Sequence, residues 1–213
     1  GINDFAVNAK FRLDLVSTPL ANKTPEELID YVSRDAPANE PGERYHYSST
    51  NYILLGIIIE KVTGKKLHKC IEDDLLSPLH LTNTYFPTSH AFPTGRNKAV
   101  CGYYFFNSEN NKLDVTEMFS DTWAWGSGAM ISCLADLQVW SQALANGSFL
   151  TAGMKTERDR TVSSDLPYMN YGLGLMISNG YYGHSGFVPG YTSAAMYSPT
   201  RDEIGRASCR ERV

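Results

Sequence analysis

Two short segments of this 213-residue chain carry side chains that can exchange protons or hydrogen-bond a polar substrate. The first is Tyr47-Ser48-Ser49, a phenol followed by two hydroxyls at the end of a loop. Such a position can hold side chains rigidly while letting them face a cleft. The second is His184-Ser185-Gly186, an imidazole and a hydroxyl in the middle of a strand-like run. Near its ordinary pKa a histidine is partly charged around neutral pH. Each segment also has a plainer reading, with Tyr47 as a packing tyrosine, Ser49 as a cap of the helix that follows, and His184 as a histidine on a sheet surface. Trp123 and Trp125 beside Gly126 suit either a substrate cleft or a core. His68, Cys70 and Glu72 alternate in sequence, but on a helix only His68 and Glu72 share a face, so a charged solvent face is the better reading than a metal site. No Walker-type or dinucleotide glycine pattern is present, and no cofactor is called for.

The elements that must position these residues are legible from their punctuation. Thr24-Pro25-Glu26-Glu27 has the form of a capping box with proline at the first helical position, which predicts a helix to about Ser33. Prolines and glycine between Asp35 and Glu43 make that stretch a loop. Tyr52 to Val62 is apolar nearly all round, which predicts a buried helix, and Gly64 stands where a left-handed cap belongs. A second helix is expected over Leu67 to Leu76, ending before Pro78. Between Tyr85 and Thr122 the proline, asparagine, glycine and aromatic content predicts short strands and loops. Ser132 is placed to cap a helix running to about Ala145, with Leu134, Leu137, Trp140, Ser141 and Leu144 on the face that meets a sheet. The runs Tyr171 to Ser178, Tyr181 to Val188 and Tyr191 to Ser198 are separated by Asn179-Gly180 and Pro189-Gly190, the punctuation of an antiparallel meander.

Composition narrows the function classes. With 42% hydrophobic residues the chain can bury a substantial core. A formal net charge of -4 gives no long-range attraction to nucleic acid or to an anionic membrane. No apolar run approaches the roughly 20 residues that cross a bilayer. The four cysteines, at 70, 101, 133 and 209, form no CxxC pair and read as structural thiols rather than a zinc or disulfide framework. The chain opens at Gly1 without a basic-then-apolar leader, so any secretion signal is expected upstream.

Three segments in order complete the case. Pro41-Gly42-Glu43-Arg44-Tyr45-His46-Tyr47-Ser48-Ser49-Thr50-Asn51-Tyr52, continuing through Gly56, Glu60 and Gly64, resembles the Tyr-x-Asn segment of the penicillin-recognising serine hydrolases, which include serine β-lactamases, D-alanyl-D-alanine carboxypeptidases and esterases. Gly126-Ser127-Gly128-Ala129-Met130-Ile131-Ser132 is similar to that family's glycine-rich turn. Gly183-His184-Ser185-Gly186-Phe187-Val188-Pro189-Gly190-Tyr191 resembles its Lys-Thr-Gly or His-Thr-Gly strand. The resemblance implies a two-lobed α/β (α+β) fold, with an antiparallel sheet flanked by helices, a mainly helical lobe and the active site between them. It implies acyl transfer through a serine ester on an amide or ester bond of a small molecule or peptide, without metal, and a periplasmic or extracellular setting.

Carried onto matching positions, the resemblance makes Tyr47 the general base and acid, assisted by a lysine and nearby positive charge. Ser49 takes the place of the motif asparagine, although a hydroxyl cannot both hold a lysine and orient a substrate amide as a carboxamide can. His184, Ser185 and Gly186 become the substrate-binding strand, with Gly186 admitting substrate backbone. The Phe187 N–H becomes half of the oxyanion hole. The Ser49 and His184 departures favour an esterase or carboxypeptidase over a β-lactamase. The family's Ser-x-x-Lys segment has no counterpart in place, Ser17-Thr18-Pro19-Leu20 not fitting it, so the nucleophile is expected before Gly1 and the chain by itself is expected to be inactive. A non-catalytic binding or regulatory relative that keeps the cleft is the other reading. Residues 203–213 change character abruptly, with three arginines, and over Ile204 to Cys209 resemble the translation of a sequencing adapter. They are expected to be non-native and to stand outside a partial domain spanning 1–202.

Overall fold

The computed structural model describes residues 1–89, 102–105, 112–120 and 122–210. A short 3-10 turn at Phe5–Val7 leads into α1 (Ala9–Ser17), where the Asn8 carboxamide oxygen accepts from the Lys10 and Phe11 backbone N–H groups. Helix α2 (Pro25–Asp30) begins with the predicted capping box: Thr24 Oγ1 accepts from Glu27 N at 3.2 Å, and Glu27 Oε2 accepts from Thr24 N at 2.7 Å. The helix stops at Asp30 rather than Ser33, because the chain tightens into turns with Val32 N bonded to Ile29 O and Asp35 N to Val32 O. Thr24→Ala is expected to cost about 1 kcal/mol, read as a lower urea midpoint at unchanged m.

Helix α3 (Thr50–Thr63) ends as expected at Gly64, with φ 68°. Its expected burial on all sides is corrected. Ile53 and Gly56 are buried, but Leu55, Ile58 and Ile59 are exposed and Val62 is 80% exposed. The packing partners among the described residues, α2, the Trp125–Ser127 turn and α4 (Leu67–Ile71), meet only part of its circumference. Gly56 is what lets that turn approach, since a Cβ there would lie 2.6 Å from the Trp125 ring. Phe5, Phe11, Leu28, Val32 and Ile53 form the core of this helical part, and Trp123 and Trp125 pack against it. The two tryptophans are therefore core aromatics. After α4 the chain continues through a π-helical turn, Glu72–Leu76, in which Ser77 N bonds to Glu72 O.

A two-stranded pair, β1 (Tyr103–Phe105) and β2 (Lys112–Asp114), precedes α5 (Leu134–Asn146). Ser132 does not cap α5: Cys133 is the N-cap and makes no side-chain bond, while Ser132 Oγ lies 2.7 Å from Thr84 Oγ1. Helix α5 packs on the sheet through a fully buried Ser141, whereas Leu134, expected on that face, sits on the exposed first turn. Gly147 closes the helix with φ 68°. Its last carbonyls, of Leu144 and Ala145, accept from the buried Arg158 guanidinium of α6 (Ala152–Asp159).

The sheet runs β3 (Val162–Ser163), β4 (Asn170–Tyr171), β5 (Met176–Ser178), β6 (Tyr181–Val188), β7 (Tyr191–Ser198) and β8 (Glu203–Arg210), each antiparallel to the next in sequence order. Asn179 and Gly180 both have positive φ, 51° and 80°, as the two-residue turn requires. The run predicted as one strand from Tyr171 to Ser178 is broken instead, because Gly174 takes φ 70° and Gly172 N bonds to Leu175 O. Strand pairing also continues past residue 202, with β8 paired to β7 from Glu203 to Arg210. A ladder needs only backbone N–H and C=O groups, which any non-proline segment supplies.

Candidate active site

Tyr47 is placed by a buried clasp between the N-terminal stretch and the head of α3. The Asp4 carboxylate accepts from Ala6 N at 3.0 Å and from Ser49 N at 3.1 Å. The Asn3 carbonyl accepts from Ser48 Oγ at 3.1 Å and Thr50 Oγ1 at 2.7 Å, and Thr50 Oγ1 in turn accepts from Phe5 N at 3.0 Å. Ser48 and Thr50 are buried, so the backbone on either side of Ser49 is fixed while the Tyr47 ring stays 40% exposed. Ser49 precedes α3 but makes no capping bond. The capping alternative for Ser49 is thereby set aside.

His184 is placed by the sheet. Tyr171, Met176 and Gly183 are partners across β4, β5 and β6, which brings the Tyr171 side chain alongside the histidine that follows Gly183. A Cβ on Gly183 would lie 1.9 Å from the Ala195 carbonyl oxygen, so β6 and β7 approach there only because the residue is glycine. The His184 Nδ1 lies 2.5 Å from the Ser185 carbonyl oxygen, and its Nε2 lies 2.7 Å from the Tyr171 hydroxyl. A carbonyl oxygen can only accept, so Nδ1 carries the ring proton. In the neutral ring Nε2 is then an acceptor, and Tyr171 donates to it.

The two predicted segments meet. The Tyr47 and His184 ring centroids are 6.2 Å apart, and with Tyr52, Ser127 and Gly174 they line one cleft of about 160 Å³. Tyr171 bridges the walls, 6.0 Å from Tyr47 and 5.7 Å from His184 between ring centroids, and Tyr45 lies 5.5 Å beyond it. Ser127 comes from the glycine-rich turn, where a Cβ on Gly126 would lie 2.9 Å from the Tyr52 carbonyl oxygen. Trp125 in that turn has φ 37°, a conformation that costs a non-glycine residue about 1–3 kcal/mol. Gly174 similarly makes room for the Tyr52 hydroxyl, 2.8 Å from where its Cβ would be.

The remaining predicted residues are near the cleft without lining it. Ser185 is exposed and its hydroxyl faces Met176 Sδ at 3.8 Å, while Phe187 is 62% exposed. The space a Gly186 side chain would need is taken by Ser193 Oγ, 2.5 Å away on β7, so packing already accounts for that glycine. Alternation along β6 turns the Val188, Gly186 and His184 backbone groups toward β7, because Val188 and Tyr191 close a two-residue hairpin. It turns those of Ser185 and Phe187 to the other side, where the β5 ladder ends at Gly183.

Burial dominates the electrostatics. It raises the pKa of Tyr47, with the Tyr52 hydroxyl, the Asp4 carboxylate and Tyr45 adding to the rise and the Ser49 hydrogen bond opposing it. Tyr52 and Tyr45 are raised for the same first reason, and Tyr171 is raised furthest, by burial and then by Tyr52 and Tyr47. Burial lowers His184, against the Ser185 carbonyl, which favours the protonated ring. Within the described residues, both directions favour protonated phenols and a neutral imidazole at neutral pH. Among the described residues, no cation is among the causes acting on Tyr47. Among the described residues no group of three or more His, Cys, Asp or Glu could hold a metal ion, and no helix is long and apolar enough to cross a membrane. Sequence reasoning missed Tyr171 as a site residue. Its signal is an aromatic residue immediately before the Gly172-Leu173-Gly174 break between strands.

Residues 3–206 match the family model described as Beta-lactamase. The chain is 28% identical to a D-stereospecific amidohydrolase from Streptomyces sp., with a TM-score of 0.82 over 93% of this chain and 61% of that one. It is 26% identical to the D-amino acid amidase of Ochrobactrum anthropi SV3 complexed with L-phenylalanine amide, with a TM-score of 0.77 over 96% of this chain and 59% of that one. Among curated proteins it is 26% identical over 186 residues to Protein flp of Staphylococcus aureus strain MRSA252, covering 85% of this chain and 36% of that protein. The chain thus spans about a third of that curated relative and about three fifths of the two solved structures. The helices and antiparallel sheet are those of the β-lactamase/transpeptidase-like fold.

Proposed function

Since the chain belongs to the beta-lactamase family, in which serine hydrolases work by acyl transfer, we propose that it forms the Tyr47 and His184 walls of a cleft that hydrolyses amide or ester bonds of D-configured amino acyl substrates. The observation that carries this reading is the meeting of the Tyr47 and His184 rings, 6.2 Å apart, from two separate parts of the fold. The D-stereospecificity of the Streptomyces amidohydrolase supports the D-configured class.

In this reading the nucleophile and its lysine come from a Ser-x-x-Lys segment preceding Gly1, and the chain alone does not turn over. The serine hydroxyl adds to the substrate carbonyl, and its proton passes to the Tyr47 oxygen. To accept it, Tyr47 must already have given its own proton to solvent, and that needs a neighbouring cation, because burial and the Asp4 carboxylate both hold the phenol protonated. The lysine supplies it. Tyr47 then returns the proton to the leaving nitrogen or oxygen as the carbon–heteroatom bond breaks. Water repeats the cycle on the serine ester. Ser49 steadies the Tyr47 hydroxyl, Ser185 and Gly186 guide the substrate along β6, and the Phe187 N–H stabilises the oxyanion with an N–H at the nucleophile.

The test is to express the chain with its Ser-x-x-Lys segment and treat it with a fluorophosphonate, then assay a D-amino acid amide and its methyl ester. Covalent labelling of the serine with hydrolysis of both is expected. An intact Ser-x-x-Lys that neither labels nor hydrolyses either substrate would overturn the proposal and favour a non-catalytic relative that keeps the cleft.

A further inference from the structure

His184 offers no N–H to a ligand. Its Nδ1 proton is spent on the Ser185 carbonyl at 2.5 Å, and its Nε2 is turned onto the Tyr171 hydroxyl at 2.7 Å. Among the described residues, the titratable groups found around the imidazole are the hydroxyls of Tyr47, Tyr52 and Tyr171. A proton added at Nε2 would point at the Tyr171 oxygen, not at the cleft.

Resting on the reading of this cleft as a substrate site, we propose that Tyr171 is a specificity-determining residue, which by occupying His184 Nε2 denies the cleft a cationic N–H and so disfavours substrates whose bound end is a free carboxylate. Substrates ending in a neutral carboxamide or ester are accepted in their place. The physical reason is an asymmetry of hydrogen bonds. An imidazolium N–H donating to a carboxylate is a charge-assisted bond, roughly twice as strong as a neutral one, and desolvating a carboxylate without such a donor is unfavourable. A carboxamide brings its own donors and needs no cation. Phenylalanine at 171 keeps the ring that packs on Tyr45 and Tyr47 but leaves Nε2 open to the cleft, where an arriving carboxylate stabilises its protonation.

The experiment compares binding of N-acetyl-D-alanine and N-acetyl-D-alaninamide to this chain and to its Tyr171→Phe variant, each labelled with 15N at histidine and followed by the His184 ring resonances. Binding is read without turnover, so the result does not depend on the nucleophile. Wild type is expected to bind the amide at least as tightly as the carboxylate. In Tyr171→Phe the ratio of the two dissociation constants should move about tenfold toward the carboxylate, with an Nε2 proton appearing in that complex. An unchanged ratio with both ligands bound would overturn the role of Tyr171 and leave the cleft reading standing. Failure of both ligands to perturb His184 in either protein would overturn the cleft reading and this proposal with it. Wild type alone supplies a second check, since a proton found on Nε2 instead of Nδ1 at neutral pH contradicts the arrangement whether or not the variant folds.

Discussion

Replacing Tyr47 by phenylalanine, in a chain that carries its Ser-x-x-Lys segment, is expected to lower kcat/KM for an activated D-amino acyl ester by about 10²–10⁴, the usual contribution of a positioned acid–base group. The same change should leave stability within about 0.5 kcal/mol. The hydroxyl is the proton carrier in the proposed cycle but contributes little to folding, since the ring is 40% exposed and the clasp that fixes this loop runs through Asn3, Asp4, Ser48 and Thr50. Initial-rate kinetics paired with urea denaturation separate the two quantities. A variant that keeps most of the rate would remove Tyr47 as the acid–base group, and one that loses the rate only by unfolding would make it a packing residue.

Gly183→Ala is expected to cost about 3 kcal/mol, at the upper end of ordinary overpacking, and to displace His184 with it. The added Cβ would stand 1.9 Å from the Ala195 carbonyl oxygen and 2.8 Å from Met196 Sδ. The sulfur can move, but the carbonyl is backbone in the centre of the β6–β7 ladder, so the strands must separate next to His184. Urea midpoints measure the stability, and loss of the Tyr171–His184 hydrogen bond should accompany the drop. An unchanged midpoint would mean that β6 and β7 are not paired in this register.

Features governed by neighbouring residues were legible in the sequence. The Thr24–Glu27 capping box, the Gly64 cap and the Asn179-Gly180 turn each depend on local backbone geometry, and all three are present. Ser132 shows the limit of the same logic, because a hydroxyl that could cap α5 is engaged by Thr84, 48 residues away. Apolar periodicity in α3 could say which residues dislike water but not which meet a partner, hence the exposed Leu55, Ile58, Ile59 and Val62. At the site, the motifs pointed to Tyr47 and His184, but their meeting depends on the clasp that holds the Tyr47 loop and the sheet that holds His184. Tyr171 was hidden because its contact with His184 depends on the register of β4, β5 and β6 and on the Gly174 break. The protonation states were hidden for a related reason, since burial, which sets the direction of each shift, is a property of the assembled cleft.

The meeting of the two aromatic rings is most directly tested by nuclear Overhauser contacts in a sample protonated only at tyrosine and histidine rings. Cross-peaks between Tyr47 and His184 are predicted, alongside those between Tyr171 and His184, from centroid separations of 6.2 and 5.7 Å. Strong Tyr171–His184 peaks with none from Tyr47 to either ring would place the phenol outside the cleft and contradict the account.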